Sequence, residues 1–121
     1  MGWTILLISV AVIVAILLLR NLGQISPRAA HTHLQQGALV VDVRTNAEFQ
    51  ARHLPNALHI PLDEIESLAG RRIKDKDQIL LLHCETGRRS AVASRKFGQL
   101  GYTRVFNLGS YTRAARIVGN R

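Results

Sequence analysis

The chain opens with 18 consecutive residues that carry no charge, from Gly2 to Leu19, and Arg20 ends this run. A helix of that length rises about 27 Å, close to the roughly 30 Å thickness of bilayer hydrocarbon. A secretory signal peptide would place a basic residue before the run and a small-x-small cleavage site after it, and neither is present. The run predicts a transmembrane anchor over residues 1–20, a linker over 21–27 and one domain over 28–121. A cleaved signal peptide and a buried core helix are the alternatives.

The charges lie entirely on one side of this apolar run. All 16 Lys and Arg and all 8 Asp and Glu follow residue 19, so the C-terminal part carries the whole net charge of +8. Because Arg20 and Arg28 follow the run closely, the positive-inside rule predicts a single-pass protein of the inner or plasma membrane with a cytoplasmic domain. Few aromatics and no nucleic-acid-binding motif argue against a nucleic acid partner. A basic face held against an acidic leaflet accounts better for the charge.

Short apolar segments alternate with segments typical of helices in the rest of the chain. Ser26 followed by Pro27 predicts a helix start, and Thr45 with Glu48 predicts a capping box at a second one. Further helices are predicted over "LDEIESLAG", "SAVASRKFGQL" and "SYTRAARIV". Four runs predict strands, namely "ALVVDVR", "ALHIP", "QILLLHC" and "TRVFNL". This alternation predicts an α/β domain with a parallel sheet, in which ligands bind beyond the carboxyl ends of the strands.

The single cysteine of the chain, Cys84, stands at such a strand end in "HCETGRRS". A thiol acts as a nucleophile in its thiolate form, which helix N-termini and arginines stabilise. Gly87 allows successive N–H groups to converge on an anion, and Arg88 and Arg89 add positive charge. The segment therefore predicts a cradle for a thiolate, a persulfide or an anionic substrate. A lone buried cysteine is more often inert packing, but the glycine, the arginines and the helix start favour chemistry.

Three segments resemble the rhodanese-like sulfurtransferase family in the family's own order. "CETGRRS" resembles the active-site loop C-x-x-G-x-R followed by Ser or Thr. "VVDVRTNAEFQARHLPNALHIPL" is similar to the upstream signature, and "LGYTRVFNLGSY" to the segment after the catalytic helix. The resemblance extends from about Ser26 to Val118. It implies a three-layer α/β fold with a central parallel sheet flanked by helices.

The resemblance also implies an activity and a set of site residues. Cys84 would take the outer sulfur of a donor such as thiosulfate, hold it as a persulfide, and pass it to cyanide or a thiol. The substrate-binding loop would comprise Glu85, Thr86, Gly87, Arg88, Arg89 and Ser90. No cofactor or metal is expected. Because the chain has no second cysteine to resolve the persulfide, the acceptor would be an external thiol or protein.

Residues outside the loop receive structural interpretations. Asp42 and Arg44, at the end of a strand, are predicted to brace the loop by hydrogen bonds. His83 precedes Cys84 on a strand, so its side chain is expected on the opposite face, where it would be a poor base for the thiol. Glu85 places an acid within an anion cradle, which leaves the identity of the donor open.

Two other functions compete with sulfur transfer. Dual-specificity phosphatases of a related fold place five residues between Cys and Arg, enough to surround a phosphate. Here Arg89 follows Cys84 after four residues, and Ser90 occupies the position of the phosphatase arginine. A phosphatase or arsenate reductase is therefore disfavoured. A non-catalytic, membrane-tethered binding module is the other alternative, although such modules commonly lose the cysteine or glycine retained here.

Overall fold

The computed structural model describes residues 1–21 and 23–119. These residues form six α-helices, four strands and one 3-10 turn. In chain order they are α1 (Gly2–Asn21), α2 (Pro27–Gln35), β1 (Leu39–Asp42), α3 (Asn46–Ala51), β2 (Leu58–His59), the 3-10 turn (Leu62–Glu64), α4 (Ile65–Arg72), β3 (Leu80–His83), α5 (Arg88–Gln99), β4 (Val105–Gly109) and α6 (Tyr111–Gly119).

The four strands form one sheet in the order β2-β1-β3-β4, and every neighbouring pair is parallel. In the central register, Val41 of β1 lies between Leu58 of β2 and Leu82 of β3. Parallel strands require crossover connections, which the helices between them supply. The predicted α/β fold with a central parallel sheet flanked by helices is confirmed.

Alternating residues of β3, together with Cys84 just after it, divide the core into two layers. Leu80, Leu82 and Cys84 pack on one face with α4 and α5, whereas Leu81 packs on the other face with α2 and α6. The strand is buried on both faces, which explains why it reads as a continuous apolar run. The helices thus cover both sides of the sheet, and Cys84 faces the layer of α4 and α5.

The helix starts follow the local capping signals. Ser26 Oγ accepts a hydrogen bond of 3.2 Å from Ala29 N–H ahead of α2. Thr45 and Glu48 form the predicted capping box at α3. Helix α5 begins at Arg88, two residues before the predicted segment, because Gly87 serves as its N-cap in the left-handed region.

Helix α1 is continuous and exposed. Each of its side chains from Gly2 to Leu18 is open to solvent, including Trp3, which is 71% exposed. Within residues 1–21 and 23–119, no helix combines the length and the apolarity needed to cross a bilayer. The structure therefore bears out a long apolar N-terminal helix but not the transmembrane part of the prediction.

Candidate active site

Cys84 lies immediately beyond the carboxyl end of β3, at the base of a loop. Its N–H donates to the carbonyl of Gly109 at 3.2 Å, and its side chain is fully buried. The Sγ atom accepts a hydrogen bond of 2.9 Å from Gly87 N–H and lies 3.5 Å from Ser90 Oγ. The sulfur therefore faces a backbone donor at the start of α5, where helix N–H groups favour negative charge.

Gly87 shapes this loop through a conformation that other residues rarely adopt. Its φ is +97°, and a Cβ at this position would lie 3.2 Å from Gln24 Nε2 and 3.5 Å from the backbone of Gly109. Asn107 braces the same region, since its Oδ1 accepts from Gly109 N–H at 2.8 Å and its Nδ2 lies 3.5 Å from the Gly87 carbonyl. Asn107 of the last strand thus supports the backbone around Gly87, and the side chain of Gln24 closes the space where a Cβ would lie.

Arg89 makes a two-pronged ion pair across the site. Its Nη1 and Nη2 donate to Glu48 Oε1 and Oε2 at 2.7 and 2.8 Å. These hydrogen bonds raise the pKa of Arg89 against the effect of burial, and electrostatic interactions with Glu48, Cys84 and Glu85 add to the rise. Arg89 therefore lies within electrostatic range of the sulfur, whereas Arg88 is exposed.

Asp42 and Arg44 form a buried pair beside the loop. Arg44 Nε lies 3.0 Å from both carboxylate oxygens of Asp42, and Nη2 donates to Oδ2 at 2.7 Å. Nη1 reaches the loop and donates to Glu85 Oε2 at 3.1 Å. Burial acts to lower the pKa of Arg44, but its interactions with Asp42 and Glu85 outweigh burial and raise it. Arg44 thereby connects the end of β1 to the residue after Cys84.

The Glu85 carboxylate lies between two arginines. Besides Arg44, its carboxylate pairs with Arg52 at 3.7 Å. The two guanidinium carbons lie 4.6 Å (Arg44) and 4.4 Å (Arg52) from the centre of the Tyr111 ring. The sequence did not predict Arg52 or Tyr111 as site residues. Tyr111 nevertheless ends "LGYTRVFNLGSY", one of the three segments that resemble the family. The Glu85 carboxylate is thus held by two arginines that stack on one tyrosine ring.

His83 lies on the other side of the strand from the thiol. Its Nδ1 is 3.3 Å from the Cys84 carbonyl, and its ring packs edge-on against Tyr111. Nε2 is 3.7 Å from Asp42 Oδ2 and has no hydrogen-bond partner among the described residues. Burial lowers the pKa of His83, so the ring is neutral near pH 7.

The predicted loop residues thus separate into three groups. The sulfur contacts Gly87 and Ser90 directly and interacts electrostatically with Arg89. Glu85 belongs to the arginine cluster, and Thr86 and Arg88 are exposed. Within residues 1–21 and 23–119, no group of three His, Cys, Asp or Glu side chains is arranged to hold a metal.

Comparison with known proteins places this geometry in a family. The model of the rhodanese-like domain family matches residues 26–114. The chain belongs to the rhodanese-like domain family. This confirms the resemblance carried by the three sequence segments.

Individual relatives agree with the family assignment. Thiosulfate sulfurtransferase PspE of Escherichia coli K12 is 33% identical over 69 residues, which cover 57% of this chain and 66% of PspE. A sulfurtransferase of Allochromatium vinosum is 37% identical over 84 residues, covering 69% of this chain and 74% of that protein. The putative sulfur carrier protein YrkF of Bacillus subtilis is 36% identical over 69 residues, which cover 57% of this chain. The chain spans about two thirds of PspE and 36% of YrkF.

Solved structures share the fold. The human single-domain sulfurtransferase TSTD1 superimposes with a TM-score of 0.65 at 28% identity, covering 78% of this chain and 96% of that one. A rhodanese with anions from E. coli gives a TM-score of 0.60 at 30% identity, covering 63% of this chain and 89% of that one.

Proposed function

We propose that the protein is a sulfurtransferase that moves sulfane sulfur from an anionic donor such as thiosulfate to cyanide or a thiol, through a persulfide on Cys84. The observation that carries this proposal is the 2.9 Å hydrogen bond from Gly87 N–H to Cys84 Sγ, at the start of α5. The names of its relatives, thiosulfate sulfurtransferase among them, support the same chemistry.

The first half-reaction forms the persulfide. The Cys84 thiolate attacks the outer sulfur of thiosulfate, the S–S bond of the donor breaks, and sulfite leaves with the bonding electron pair. The Gly87 N–H stabilises negative charge on sulfur, and Arg89 supplies a fixed positive charge nearby. Such preorganised groups need no rearrangement when the charge moves.

The second half-reaction returns the free enzyme. A thiolate or cyanide attacks the outer sulfur of the persulfide, and the Cys84 thiolate leaves with the electron pair of the S–S bond. The chain holds one cysteine, so the acceptor comes from outside it. A covalent intermediate of this kind gives ping-pong kinetics.

Mass spectrometry tests the persulfide directly. The intact protein should gain the mass of one sulfur atom after exposure to thiosulfate and lose it on addition of cyanide. Cys84→Ser should remove both the mass gain and the turnover while circular dichroism stays unchanged. Ser94→Ala is a matched control, since this hydroxyl of α5 bonds to a helix carbonyl and not to the sulfur. A protein that turns over thiosulfate with residue 84 as serine would overturn the mechanism.

The full burial of Cys84 favours one alternative, a non-catalytic binding module. A buried thiol needs an opening of its loop before a donor can reach it. The exposure of Thr86 and Arg88 marks the part of the loop through which access would come. The persulfide measurement separates the two functions, because a binding module would keep its original mass in thiosulfate. Release of phosphate from aryl phosphates faster than thiosulfate is consumed would instead indicate a phosphatase.

We further propose that α1 anchors the domain in the inner or plasma membrane, with the domain in the cytoplasm. The support is the exposed apolar surface of α1, where Trp3, Ile8 and Val12 are 71%, 64% and 51% exposed. Soluble proteins rarely expose a continuous apolar surface of this kind. The charge-free N-terminal flank and the two arginines that follow the apolar run, Arg20 and Arg28, support the orientation.

Fractionation and a reporter test the anchor and its orientation. Ile8→Lys with Val12→Lys should move the protein from the membrane pellet to the supernatant. Val92→Lys, an exposed apolar position outside α1, should leave it in the pellet. A reporter fused after Arg121 should be active only if it functions in the cytoplasm. Activity of a reporter that requires export would contradict the orientation.

A further inference from the structure

A cavity lies between α2 and α6, in the layer opposite to the one that Cys84 faces. Its volume is about 260 Å³, and it is lined by Pro27, His31, Arg113, Arg116 and Ile117. No lining residue belongs to the loop around Cys84. The cavity is therefore separate from the candidate active site.

The two helices around this cavity carry positive charge without any acidic residue. All eight Asp and Glu of the chain lie between positions 42 and 85. Helices α2 (Pro27–Gln35) and α6 (Tyr111–Gly119) hold arginines and histidines but no carboxylate. The arginines of α2 and α6 therefore have no carboxylate on either helix to neutralise them.

Arg113 is fixed within the wall of the cavity. Its Nη1 donates to the Leu108 carbonyl at 2.7 Å, and its Nη2 donates to the Ile25 carbonyl. Burial lowers the pKa of Arg113, and the nearby charge of Arg116 lowers it further. Among residues 1–21 and 23–119, neither guanidinium forms an ion pair with an acidic side chain. Two positive groups therefore repel one another across a cavity that holds no counter-charge from the protein.

We propose that this cavity binds a phosphate group, held between the guanidiniums of Arg113 and Arg116. Arg116 can present its N–H donors in the planar fork that matches phosphate oxygens, and each such bond is strengthened by charge. Both terminal nitrogens of Arg113 already donate to backbone carbonyls, so Arg113 contributes mainly its positive charge. A phosphate also relieves the repulsion between the two arginines. The volume accommodates a headgroup but is smaller than that of most pockets for drug-sized ligands.

The linker makes a lipid headgroup the expected source of that phosphate. Five residues separate Asn21, the end of α1, from Pro27 at the cavity, and the six steps between their Cα atoms span at most about 20 Å. The Ile25 carbonyl that Arg113 binds belongs to this linker. If α1 is embedded in a bilayer, the cavity stays near its headgroups. The basic layer of α2 and α6 would then face the acidic leaflet.

The test uses the full-length chain in a neutral detergent, with NMR of the backbone amides of His31, Arg116 and Ile117. The probes are inorganic phosphate, dihexanoyl phosphatidylglycerol and dihexanoyl phosphatidylcholine, at constant ionic strength set with sodium chloride. We expect saturable shifts with phosphatidylglycerol that Arg116→Ala weakens about tenfold or more, as for the loss of a charge-assisted hydrogen bond. Arg71→Ala, which removes an exposed arginine from α4 in the opposite layer, should leave the affinity unchanged.

Each outcome decides between the possible ligands. Saturation by phosphatidylglycerol but not phosphatidylcholine supports an anionic headgroup. Saturation by inorganic phosphate alone supports the same site with a soluble phosphate ligand. Equal binding of phosphatidylcholine, no saturable shift with any probe, or equal weakening by Arg71→Ala would overturn the proposal. Because Arg116 lies outside the loop around Cys84, Arg116→Ala should keep its thiosulfate turnover, so this test is independent of the proposed sulfur transfer.

Discussion

The Glu48 carboxylate connects the start of α3 to the start of α5. Its Oε1 accepts from Thr45 N–H at 3.0 Å, which completes the capping box, and the same carboxylate binds both terminal nitrogens of Arg89. One side chain thus caps a helix on one side of the site and holds a cation beside Cys84 on the other. Replacing it should affect both stability and catalysis.

Glu48→Gln should remove a contribution to stability that depends on pH. The hydrogen bonds from Arg89 lower the pKa of Glu48 from 4.5 to about 2. Burial acts in the opposite direction, and the hydrogen bonds from Thr45 lower the pKa further. Because the folded-state pKa is depressed, the contribution is fully present above about pH 4.5 and is lost as the pH falls toward 2. Urea unfolding at a series of pH values should therefore show the difference from wild type shrinking across that window.

The matched control for this measurement is Glu64→Gln. Glu64 is an exposed carboxylate that forms no ion pair among the described residues. Its replacement should change the free energy of unfolding little at any pH in the window. A Glu48→Gln deficit that stays constant between pH 4.5 and 2 would contradict the assigned role of the Arg89 pair.

Gly87→Ala should impair sulfur transfer because the loop needs a positive φ. Alanine at φ +97° is strained by roughly 1–2 kcal/mol. Relief of that strain would move the N–H away from Cys84 Sγ. Loss of one preorganised donor lowers turnover on the order of 10²-fold. Thiosulfate:cyanide turnover, measured beside the unfolding free energy, separates loss of catalysis from loss of fold.

A glycine within the helix that Gly87 caps provides the comparison. Gly98 lies in α5, and a Cβ there would meet nothing within 4 Å. Gly98→Ala should stabilise the protein by about 0.5–1 kcal/mol, since alanine is the better helix former. Its turnover should equal that of the wild type. Equal losses in the two variants would show that Gly87 has no special role.

Local signals in the sequence predicted most of the fold. The capping residues Ser26 and Thr45 and the apolar run before Cys84 each act within a few neighbouring residues, so their effects can be read along the chain. Helix α5 begins two residues before the predicted segment because Gly87 caps it in the left-handed region, where an added Cβ would contact Gln24 and Gly109. Those contacts come from segments distant in sequence.

The charge pairing of the site could not be predicted in the same way. Cys84, Gly87 and the arginines after it were visible in one short segment. The partner of Arg89 is Glu48, 41 residues away, and Glu85 pairs with Arg44 at the same separation. Only the parallel register of β1 and β3 brings these residues together, and a single sequence does not show which carboxylate meets which arginine.

Arg44→Met should destabilise the fold severely. It would leave the buried Asp42 carboxylate without its partner, since Arg44 and Asp42 are 1% and 0% exposed. Removing one member of a buried ion pair typically costs about 3–5 kcal/mol. Arg52→Met is the control, because Arg52 is 63% exposed and its contacts are a 3.7 Å ion pair with the half-exposed Glu85 and the face of the Tyr111 ring. Urea unfolding should show a change of at most about 1 kcal/mol for that variant.

The Glu85 side chain is 39% exposed and offsets the charges of Arg44 and Arg52 beside the loop. Glu85→Gln should therefore leave more positive charge where an anionic donor approaches. We expect the KM for thiosulfate to fall by roughly 2- to 10-fold, as for one charge acting through partly solvated surroundings.

Ionic strength distinguishes this effect from a change in loop shape. An electrostatic gain should diminish as salt rises, because salt screens exposed charges over about 10 Å at 0.1 M. Glu64→Gln removes the same charge outside the loop and should leave the KM for thiosulfate unchanged. If Glu85→Gln instead raises that KM at every salt concentration, the carboxylate holds the loop in its binding shape. Glu85 would then act with Arg44 as a positioning residue, and the donor would be selected by the groups around Cys84 alone.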